Sequence, residues 1–399
     1  MDFENILQAL SLPIEFSVIA CGATAFVILL IQWYIDKAYY LRLVRYRRKN
    51  TDNIDTEAVT LPPVSVIVYA SDNADSLRHN IPRLFEQDYP EFEVVVVDDA
   101  SIDDTREVLH WLAGQYPQLY STYVPSDARA LSRKKLALTL GLKAVKNEYV
   151  VVLDAHCVPD SLVWLRNMMR RFTSGVDVVL GYSHFSHPMT FSGRYMAYDR
   201  LLFSMRYLAC AVRRRPYMGE GTNLAYRKSL FFEHKGFVKT LNFRYGDDDL
   251  FVNEVATRDN TRVEIDNDSF MTVTGDDAAL MWRLQKLRYR FTASHLRGRR
   301  QPLFAVEQAG VYLFYALLVA MAVLQPMHPV VWLSIAILWV WRTIVQVVTY
   351  RRLSKAFAEP RLCWRVLLYE WARPIVNGYF WWLSYRRRDE NKTWTLKNL

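Results

Sequence analysis

Short, uniformly apolar runs alternate with segments of helical periodicity between residues 50 and 300. The runs are rich in Val, Ile, Leu and Tyr, as buried strands are, and they cover residues 64–70, 92–100, 119–124 and 149–155. The segments between them space apolar residues three and four positions apart, and they cover residues 75–87, 103–115 and 133–146. Continuous apolar strands separated by helices are typical of a parallel sheet covered on both faces, so the pattern predicts an α/β fold.

Three longer apolar runs, at residues 16–35, 305–325 and 329–350, have the length that a bilayer requires. A transmembrane helix needs about 20 apolar residues. A signal peptide is the alternative for the first run, but such a peptide begins with basic residues, whereas Asp2 and Glu4 make this start acidic. We therefore predict three transmembrane helices.

Basic residues predict how these helices are oriented. Lysine and arginine follow the first run, precede the second and follow the third, while the loop at 325–328 contains neither. By the positive-inside rule, residues 1–15 would be extracytoplasmic, and residues 36–303 and 351–399 would be cytoplasmic. The sequence thus predicts an integral protein of the cell (inner) membrane with a cytoplasmic α/β domain.

Two features of the apolar segments allow more than one interpretation. Arg342 lies within the third run, where it either snorkels to the cytoplasmic face or contacts a lipid phosphate or a polar substrate. The stretch 362–385 is apolar but contains charged residues and a proline. This composition favours a pair of interfacial or re-entrant helices over a fourth span.

Charge and cysteine content exclude some partners. The net charge of +9 comes largely from basic residues that cluster beside the apolar runs, so a nucleic-acid partner is not predicted. The four cysteines are scattered and form no C-x-x-C motif. They therefore predict neither a disulfide framework nor a zinc site, and they fit a reduced, cytosol-facing domain.

Acidic residues follow or end three of the four predicted strands. Asp72 follows the first, Asp98 and Asp99 lie at the end of the second, and Asp154 ends the fourth. Ligands of parallel sheets bind at the carboxyl ends of the strands. Aspartate is also a common helix N-cap, which is the ordinary alternative for each residue alone. Carboxylates gathered at one edge would repel one another without a cation or ligand donors, so the pattern favours a binding site.

Seven motifs now carry a resemblance to a known family. They are, in order, PPVSVIVYASDNADSL, EVVVVDDASIDDT, KKLALTLGLKA, YVVVLDAHCVPD, GEGTNLAYRKSLFF, YGDDDLFVNEV and QKLRY. This ordered set resembles the membrane-bound branch of the family 2 glycosyltransferases, which have the GT-A fold and include polysaccharide synthases and lipid glycosyltransferases. The resemblance covers about residues 60–300 and the membrane flanks.

The resemblance implies an activity and its partners. It implies an inverting glycosyltransferase that moves a sugar from a nucleotide-sugar donor, UDP-linked by preference, to a lipid-linked or glycan acceptor at the cytoplasmic membrane face. Two alternatives stay open. One is a subunit of a processive polysaccharide synthase, and the other is a catalytically inactive, nucleotide-binding membrane scaffold.

The resemblance assigns four residues to the nucleotide. Asp98 and Asp99 match the pair that contacts the uracil and ribose, because carboxylates accept hydrogen bonds from a base N–H and a ribose hydroxyl. Ala70 matches the small residue that lets the base approach, although a small residue packed at a strand end is the alternative. Lys134 matches the lysine of a G-K-x-x-A-L-N pattern, but the glycine and asparagine of that pattern are absent here, and a solvated helix face is the rival interpretation.

Asp154 and His156 match the position of the family's D-x-D metal motif, which this chain replaces with D-A-H. Mg²⁺ prefers oxygen ligands, whereas Mn²⁺ tolerates an imidazole better. The motif therefore predicts a divalent metal as cofactor, with Mn²⁺ favoured over Mg²⁺. Alternatively, His156 supports the site without touching the metal, or the replacement marks a weakened site.

The YGDDDLF motif supplies the candidate catalytic base. Three acids open a predicted helix, where the helix dipole stabilises negative charge and where one of them is expected to act as a cap. Alignment on Gly246 makes Asp248 the base, and alignment on Leu250 favours Asp247. We predict Asp248.

The remaining motifs predict contacts to the acceptor or the diphosphate. QKLRY resembles Q-x-x-R-W, so Gln285, Arg288 and Tyr289 are candidates, with Arg288 suited to the departing diphosphate by its forked donors. A basic helix beside an anionic membrane is the alternative. In the GEGTN motif, Asn223 is a further candidate for the sugar or acceptor pocket.

Overall fold

The computed structural model describes residues 13–52, 61–186, 190–275, 278–298, 301–360, 362 and 365–386. The chain divides into two compact units. The helical unit comprises residues 1–44 and 298–371, and the sheet unit comprises residues 45–297 and 372–399. Each unit is described separately.

Thirteen α-helices occur in the described ranges. In chain order they are α1 Phe16–Ile35, α2 Leu41–Asp52, α3 Ala74–Phe85, α4 Thr105–Gln115, α5 Arg133–Ala144, α6 Trp164–Met169, α7 Phe191–Val212, α8 Lys228–Glu233, α9 Asp249–Val255, α10 Ala278–Ala293, α11 Gln301–Leu324, α12 Pro329–Ala356 and α13 Arg365–Arg386. A π-helical turn, Asp36–Tyr40, joins α1 to α2, and Val238–Thr240 and Asn267–Ser269 are 3-10 turns.

Ten strands occur in the same ranges. They are β1 Val64–Ala70, β2 Phe92–Asp98, β3 Leu119–Tyr123, β4 Tyr149–Asp154, β5 Cys157–Pro159, β6 Val178–Leu180, β7 Ser183–Phe185, β8 Leu224–Arg227, β9 Thr261–Val263 and β10 Met271–Val273. Seven of them form the main sheet in the order β3-β2-β1-β4-β8-β6-β9, and a small sheet has the order β5-β10-β7.

The first half of the main sheet is parallel, as the sequence predicts. Strands β3, β2, β1 and β4 run in one direction, and β8 pairs antiparallel with both β4 and β6. The core on one side of this sheet contains alternate strand residues such as Val66, Val94 and Val151, which are almost completely buried. β-branched side chains pack well on a pleated surface, and burial on both faces explains the continuous apolar runs.

The predicted elements of this region are confirmed, with small shifts at their ends. Strand β2 ends at Asp98 rather than at residue 100. The reason is local: Ala100 has a positive φ of 52°, and the Asp98 side chain accepts a hydrogen bond from the Ser101 amide. The chain therefore turns away from the sheet directly after Asp98.

The helical unit contains helices that are long and apolar enough to cross a membrane. They are Phe16–Lys49, Leu303–Leu324 and Pro329–Ala356. Their contact is lined by apolar side chains such as Leu29, Phe314 and Leu338. Small residues allow close packing, since a Cβ on Gly22 would lie 3.4 Å from the Met321 methyl carbon. The orientation in the membrane stays a prediction.

Arg342 of α12 does not extend toward a helix end. Its side chain is buried, donates to Glu370 Oε2 from Nη1 at 2.6 Å, and makes a second contact to the other Glu370 oxygen. Its Nε donates to Gln32 Oε1 at 3.2 Å and its Nη1 to Tyr315 Oη at 2.9 Å. The snorkelling interpretation is therefore wrong, because the charge is neutralised inside the unit.

The segment predicted as two interfacial helices is one continuous helix. Helix α13 passes through Pro374 without a break. A proline removes one N–H donor, but the helix continues when tertiary packing supports it.

Candidate active site

The register of the parallel strands brings their acidic ends together. Ala70 pairs with Asp98 across β1 and β2, and Tyr69 pairs with Asp154 across β1 and β4. Asp72 is exposed and accepts a hydrogen bond from the Ile102 amide at 2.8 Å, so it links two loops at this edge.

Asp98 and Asp99 have different surroundings. Asp98 Oδ1 accepts hydrogen bonds from the Ser101 amide at 3.0 Å and from its hydroxyl at 2.5 Å, which fixes the loop after β2. Asp99 accepts from the Tyr69 hydroxyl at 2.7 Å and from Arg133 Nε at 2.7 Å. Burial, together with the Asp99 carboxylate, raises the pKa of Tyr69 well above its usual range. Tyr69 therefore stays neutral and donates to Asp99.

Arg133 occupies the position of the family's glycine, and the structure gives it a clear role. Its guanidinium forms an ion pair with Asp99 and also donates to the Ala128 carbonyl at 3.2 Å. The departure from the family pattern thus adds a cation beside the candidate nucleotide residues. Ala70, also a candidate, is completely buried next to them.

Lys134 joins two separate acidic motifs. Its ammonium group contacts Asp154 Oδ1 and lies 3.6 Å from Asp247 Oδ2. Burial lowers the pKa of Lys134, but attraction to Asp154 and Asp247 outweighs that effect, and the pKa is raised from its ordinary value. The amine is therefore charged, and the solvated-face interpretation of Lys134 does not describe this structure.

Arg288 bridges the two candidate bases. One nitrogen, Nη2, lies 2.7 Å from Asp247 Oδ1 and 2.8 Å from Asp248 Oδ1. Lys134 and Arg288 thus connect Asp154, Asp247 and Asp248 in one chain of contacts. The predicted residues from four distant motifs meet in one place.

Asp248 begins helix α9 and is surrounded by donors. Its Oδ2 accepts from the Gly221 amide at 2.9 Å and from the Tyr289 hydroxyl at 2.6 Å, and its Oδ1 accepts from the Asp249 amide at 2.7 Å. Burial alone would raise the pKa of Asp248, but Arg288 and the hydrogen bond from Tyr289 hold it below its ordinary value. Asp248 is therefore an ionised carboxylate.

Asp249 is the acid of this motif with a structural role. It is completely buried, accepts from the Leu250 amide at 2.8 Å, and contacts the Thr292 hydroxyl. Burial and the neighbouring Asp248 charge raise its pKa. The N-cap of α9 is Asp248, whose side chain accepts from the Asp249 amide, so the capping residue and the predicted base are the same residue.

Gln285 reaches a buried ion pair that the sequence analysis missed. Its amide nitrogen donates to Glu220 Oε1, and Glu220 also pairs with Arg200. Burial raises the pKa of Glu220, and Arg200 opposes part of that effect. Glu220 lies in the GEGTN motif, and its position next to the two glycines was the available signal.

Asn223 is a core residue in this structure, which corrects its prediction as an acceptor contact. Its Oδ1 accepts from Trp164 Nε1 at 3.2 Å, and its Nδ2 donates to the Tyr182 carbonyl at 2.8 Å and the Ser269 carbonyl at 3.0 Å. These bonds use the amide inside the domain, where only 2% of the residue is exposed.

Asp154 and His156 fit a metal to different degrees. The Asp154 carboxylate at the end of β4 is a suitable oxygen ligand, and Mg²⁺ is commonly held by one or two carboxylates plus substrate phosphates. The His156 ring nitrogens lie 3.2 Å from Asn73 Nδ2 and 3.1 Å from Ser76 Oγ. Within the described ranges, no group of three or more His, Cys, Asp and Glu residues could hold a metal. Ligation by His156 stays a prediction, and it requires the ring to leave one of these partners.

Lys135 is a second residue that sequence reasoning missed. Its buried ammonium group donates to the carbonyls of Thr240, Phe243 and Tyr245, at 2.6, 3.1 and 2.8 Å. Burial lowers its pKa to about 8. These bonds fix the loop that leads into Asp247, and nothing in a basic helix start distinguishes this lysine from a solvated one.

Part of the chain is similar to known glycosyltransferases. Residues 65–234 match the family "Glycosyl transferase family 2". The glycosyltransferase AglE of Haloferax volcanii is 28% identical over 131 residues, which are 32% of this chain and 42% of AglE. The beta-monoglucosyldiacylglycerol synthase of Synechocystis is 31% identical over 151 residues, which are 36% of this chain and 31% of the synthase. The chain thus spans less than half the length of these curated relatives.

One solved structure shares the fold over most of its length. The mannosyltransferase PcManGT from Pyrobaculum calidifontis, in complex with GDP-Man and Mn²⁺, is 20% identical, with a TM-score of 0.52 over 85% of this chain and 96% of that chain. This likeness agrees with the GT-A fold that the sequence resemblance implies. More specifically, residues 65–234 are similar to the glycosyl transferase family 2 domain.

Proposed function

We propose that this protein is an inverting glycosyltransferase, which moves a sugar from a nucleotide-diphosphate donor to a lipid-linked or glycan acceptor at the cytoplasmic face of a membrane. The observation that carries the proposal is the chain of contacts from Asp154 through Lys134 and Asp247 to Arg288 and Asp248. These groups suit the two ends of the reaction, because the leaving diphosphate needs cations and the acceptor hydroxyl needs a base.

The donor nucleotide is assigned to the ends of β1 and β2. Asp99 can accept a hydrogen bond from the nucleotide once Tyr69 or Arg133 releases one of its carboxylate oxygens. Asp98 holds the loop beside this position through its bond from the Ser101 amide. A UDP-linked sugar is our proposed donor, on the basis of the motifs that Asp98 and Asp99 resemble. The similar mannosyltransferase structure contains GDP-Man, so guanine nucleotides are the direct comparison in any binding assay.

The diphosphate is assigned to Lys134 and Arg288. Both cations have carboxylate partners, and phosphate oxygens would compete for the same N–H donors. Three carboxylates share these two cations, so a diphosphate would leave the region with excess negative charge. This imbalance supports a divalent cation at Asp154, which when bound would neutralise charge on the departing diphosphate. The preference for Mn²⁺ over Mg²⁺ depends on His156 and has no support from the geometry of its ring.

Asp248 is our proposed base. It receives a hydrogen bond from Tyr289, and an acceptor hydroxyl that replaced the tyrosine hydroxyl would donate to the same oxygen, Oδ2. When phosphate oxygens engage Arg288 and Lys134, the two cations that lower the pKa of Asp248 are partly neutralised. Donor binding would therefore make Asp248 a stronger base.

The proposed reaction is a single displacement. The acceptor oxygen forms a bond to the anomeric carbon, and the bond from that carbon to the β-phosphate oxygen breaks. The proton of the acceptor hydroxyl passes to Asp248, and the electron pair of the broken bond leaves with the nucleoside diphosphate. The transition state resembles an oxocarbenium ion, as in glycoside hydrolysis.

Purified full-length protein in detergent should hydrolyse or transfer sugar from a UDP-sugar panel. We expect nucleotide release with Mn²⁺ or Mg²⁺ and little release in EDTA. Turnover that is equal in EDTA would contradict the metal proposal alone. Binding without turnover for every UDP- and GDP-sugar would instead favour the inactive scaffold, and long products would identify a polysaccharide synthase.

A further inference from the structure

A cavity of about 240 Å³ lies among α7, α10 and the part of α13 that belongs to the sheet unit. It is next to the proposed base, because Tyr289 lines it and also donates to Asp248. Gln285, which bonds Glu220, lines it as well. The occupant of this cavity is thus placed where an acceptor would be.

The charge of the cavity is strongly one-sided. Its basic lining residues are Arg200, Arg206, Lys286, Arg290 and Arg373, and its acidic lining residue is Asp199. Asp199 accepts from Lys286 Nζ at 2.7 Å at each oxygen and from Trp282 Nε1 at 3.0 Å.

The neighbouring basic residues affect the pKa of Lys286, whose side chain is half-buried. Burial lowers the pKa of Lys286, Asp199 opposes the effect, and Arg373 and Arg206 lower the pKa further. Like charges brought together inside a protein are unfavourable, and a bound anion removes that repulsion. The cavity is therefore electrostatically suited to an anion.

Aromatic rings supply the rest of the lining. Phe203 stacks on Tyr289 with ring centres 4.7 Å apart, and Trp282 meets Phe380 edge-on at 5.3 Å. An aromatic surface beside a cationic one suits a ligand with an apolar or sugar part and an anionic part.

We propose that this cavity binds the acceptor through a phosphate group, with Arg206, Lys286 and Arg373 as its contacts. The acceptor class would then be a phosphate-bearing molecule, such as a phospholipid or a lipid-linked phosphate. The identification of the ligand as the acceptor rests on the proposed function, whereas selectivity for phosphate rests on the cavity itself.

The test compares two ligands that differ only in the phosphate: dihexanoyl phosphatidic acid and dihexanoyl glycerol. Full-length protein in neutral detergent is titrated with each, and with inorganic phosphate in a third arm. We expect the phosphatidic acid to bind at least about tenfold more tightly than the other two, since a charge-assisted phosphate contact is worth that much or more. Equal binding of both lipids would overturn the proposal, and equal binding of inorganic phosphate would show an ion site rather than an acceptor site.

Two variants of the cavity lining test whether phosphatidic acid binds there. Arg373→Gln and Arg206→Gln should each weaken phosphatidic acid binding by about tenfold. Arg283→Gln is the matched control, because Arg283 lies on α10 but is exposed and outside the cavity lining. UDP binding, measured on the same samples, should change by less than about twofold and reports folding. Unchanged lipid affinity in both cavity variants would overturn the proposal.

The two proposals fail separately. Phosphate-selective lipid binding without turnover of any nucleotide sugar would refute the glycosyltransferase and leave an anion-binding cavity. Turnover of a nucleotide sugar without phosphate selectivity would refute the cavity proposal and leave the enzyme.

Discussion

The two units each contain buried charges, but the charges are matched differently. In the helical unit, one cation meets one carboxylate: Arg342 contacts both oxygens of Glu370. Gln32 and Tyr315 supply neutral partners for the remaining donors. Such a pair is locally neutral and hydrogen-bonded on several sides, which is what a structural ion pair in an apolar region requires.

In the candidate active site of the sheet unit, two cations are shared among three carboxylates. Lys134 contacts both Asp154 and Asp247, while Arg288 contacts both Asp247 and Asp248. If Lys134 turned to a phosphate oxygen, Asp247 would keep its contact with Arg288, and the Asp154 carboxylate would become available to the proposed divalent cation.

The ratio of cations to carboxylates therefore distinguishes the structural ion pair from the candidate catalytic cluster. A matched ion pair is already neutral, so a ligand does not stabilise it further. The net charge of a shared, unbalanced cluster changes when a charged ligand binds. The predictions below test whether the sheet-unit charges act in catalysis and the helical-unit pair acts in stability.

The largest expected effect is on transfer. Asp248→Asn should lower sugar transfer by about 10²- to 10⁴-fold, because a positioned base contributes that much. Steady-state turnover with the best donor measures it, and nucleotide binding should persist. Asp249→Asn is the matched control, since the raised pKa of Asp249 favours a neutral acid that an amide imitates. Equal losses in both variants would contradict the assignment of the base.

The next effect is on folding. Glu370→Gln should destabilise the protein by about 3–5 kcal/mol, because it leaves Arg342 buried without its charge partner. Thermal unfolding in detergent measures the change. The exposed pair of Arg83 and Glu86 supplies a control, and Arg83→Gln should cost at most about 1 kcal/mol. A Glu370→Gln protein with normal stability but no turnover would reverse the roles that we assign to the two clusters.

A smaller effect is expected for Arg288→Lys. Lysine keeps the charge, but its flexible stem does not fix the nitrogen between Asp247 and Asp248, and an ammonium cannot offer a diphosphate two parallel N–H donors. Turnover should therefore fall by about tenfold to a hundredfold. The experiment compares kcat and the donor KM with those of the natural protein. Full activity would mean that charge alone suffices at this position.

The smallest effect is a change in the pH dependence of stability. Burial and Asp248 raise the pKa of Asp249 to about 8, so folding favours its protonated form. That contribution is fully present below the ordinary carboxyl pKa and is lost as the pH rises toward 8. Melting temperatures of the natural protein should therefore decline more steeply between pH 5 and about 8 than those of Asp249→Asn. Parallel curves would contradict the protonated state of Asp249.

Periodicity and composition predicted the parallel half of the sheet because each of its strands is buried on both faces. The short strands β5 to β10 were not predicted, since runs of three or four residues have no periodicity of their own. Their place in the sheet depends on long-range pairing, such as that of β8 with β4.

For the site, motif order identified Asp154, Asp248 and Arg288, but it could not show which cation meets which acid. The contact of Lys134 with both Asp154 and Asp247 depends on the position of α5 relative to two distant loops. Asn223 was misassigned because a polar residue in a glycine-rich motif has the same sequence signature whether it faces a ligand or the core.

The central claim is that Lys134 exchanges its carboxylate partners for the diphosphate of the donor. Calorimetric titration with UDP and UMP, and with GDP and GMP in parallel, tests it most directly on the natural protein and Lys134→Gln. The account predicts that a diphosphate binds at least about tenfold more tightly than its monophosphate, and that Lys134→Gln markedly reduces this difference while monophosphate affinity is unchanged. A diphosphate preference that is undiminished in Lys134→Gln would contradict the account.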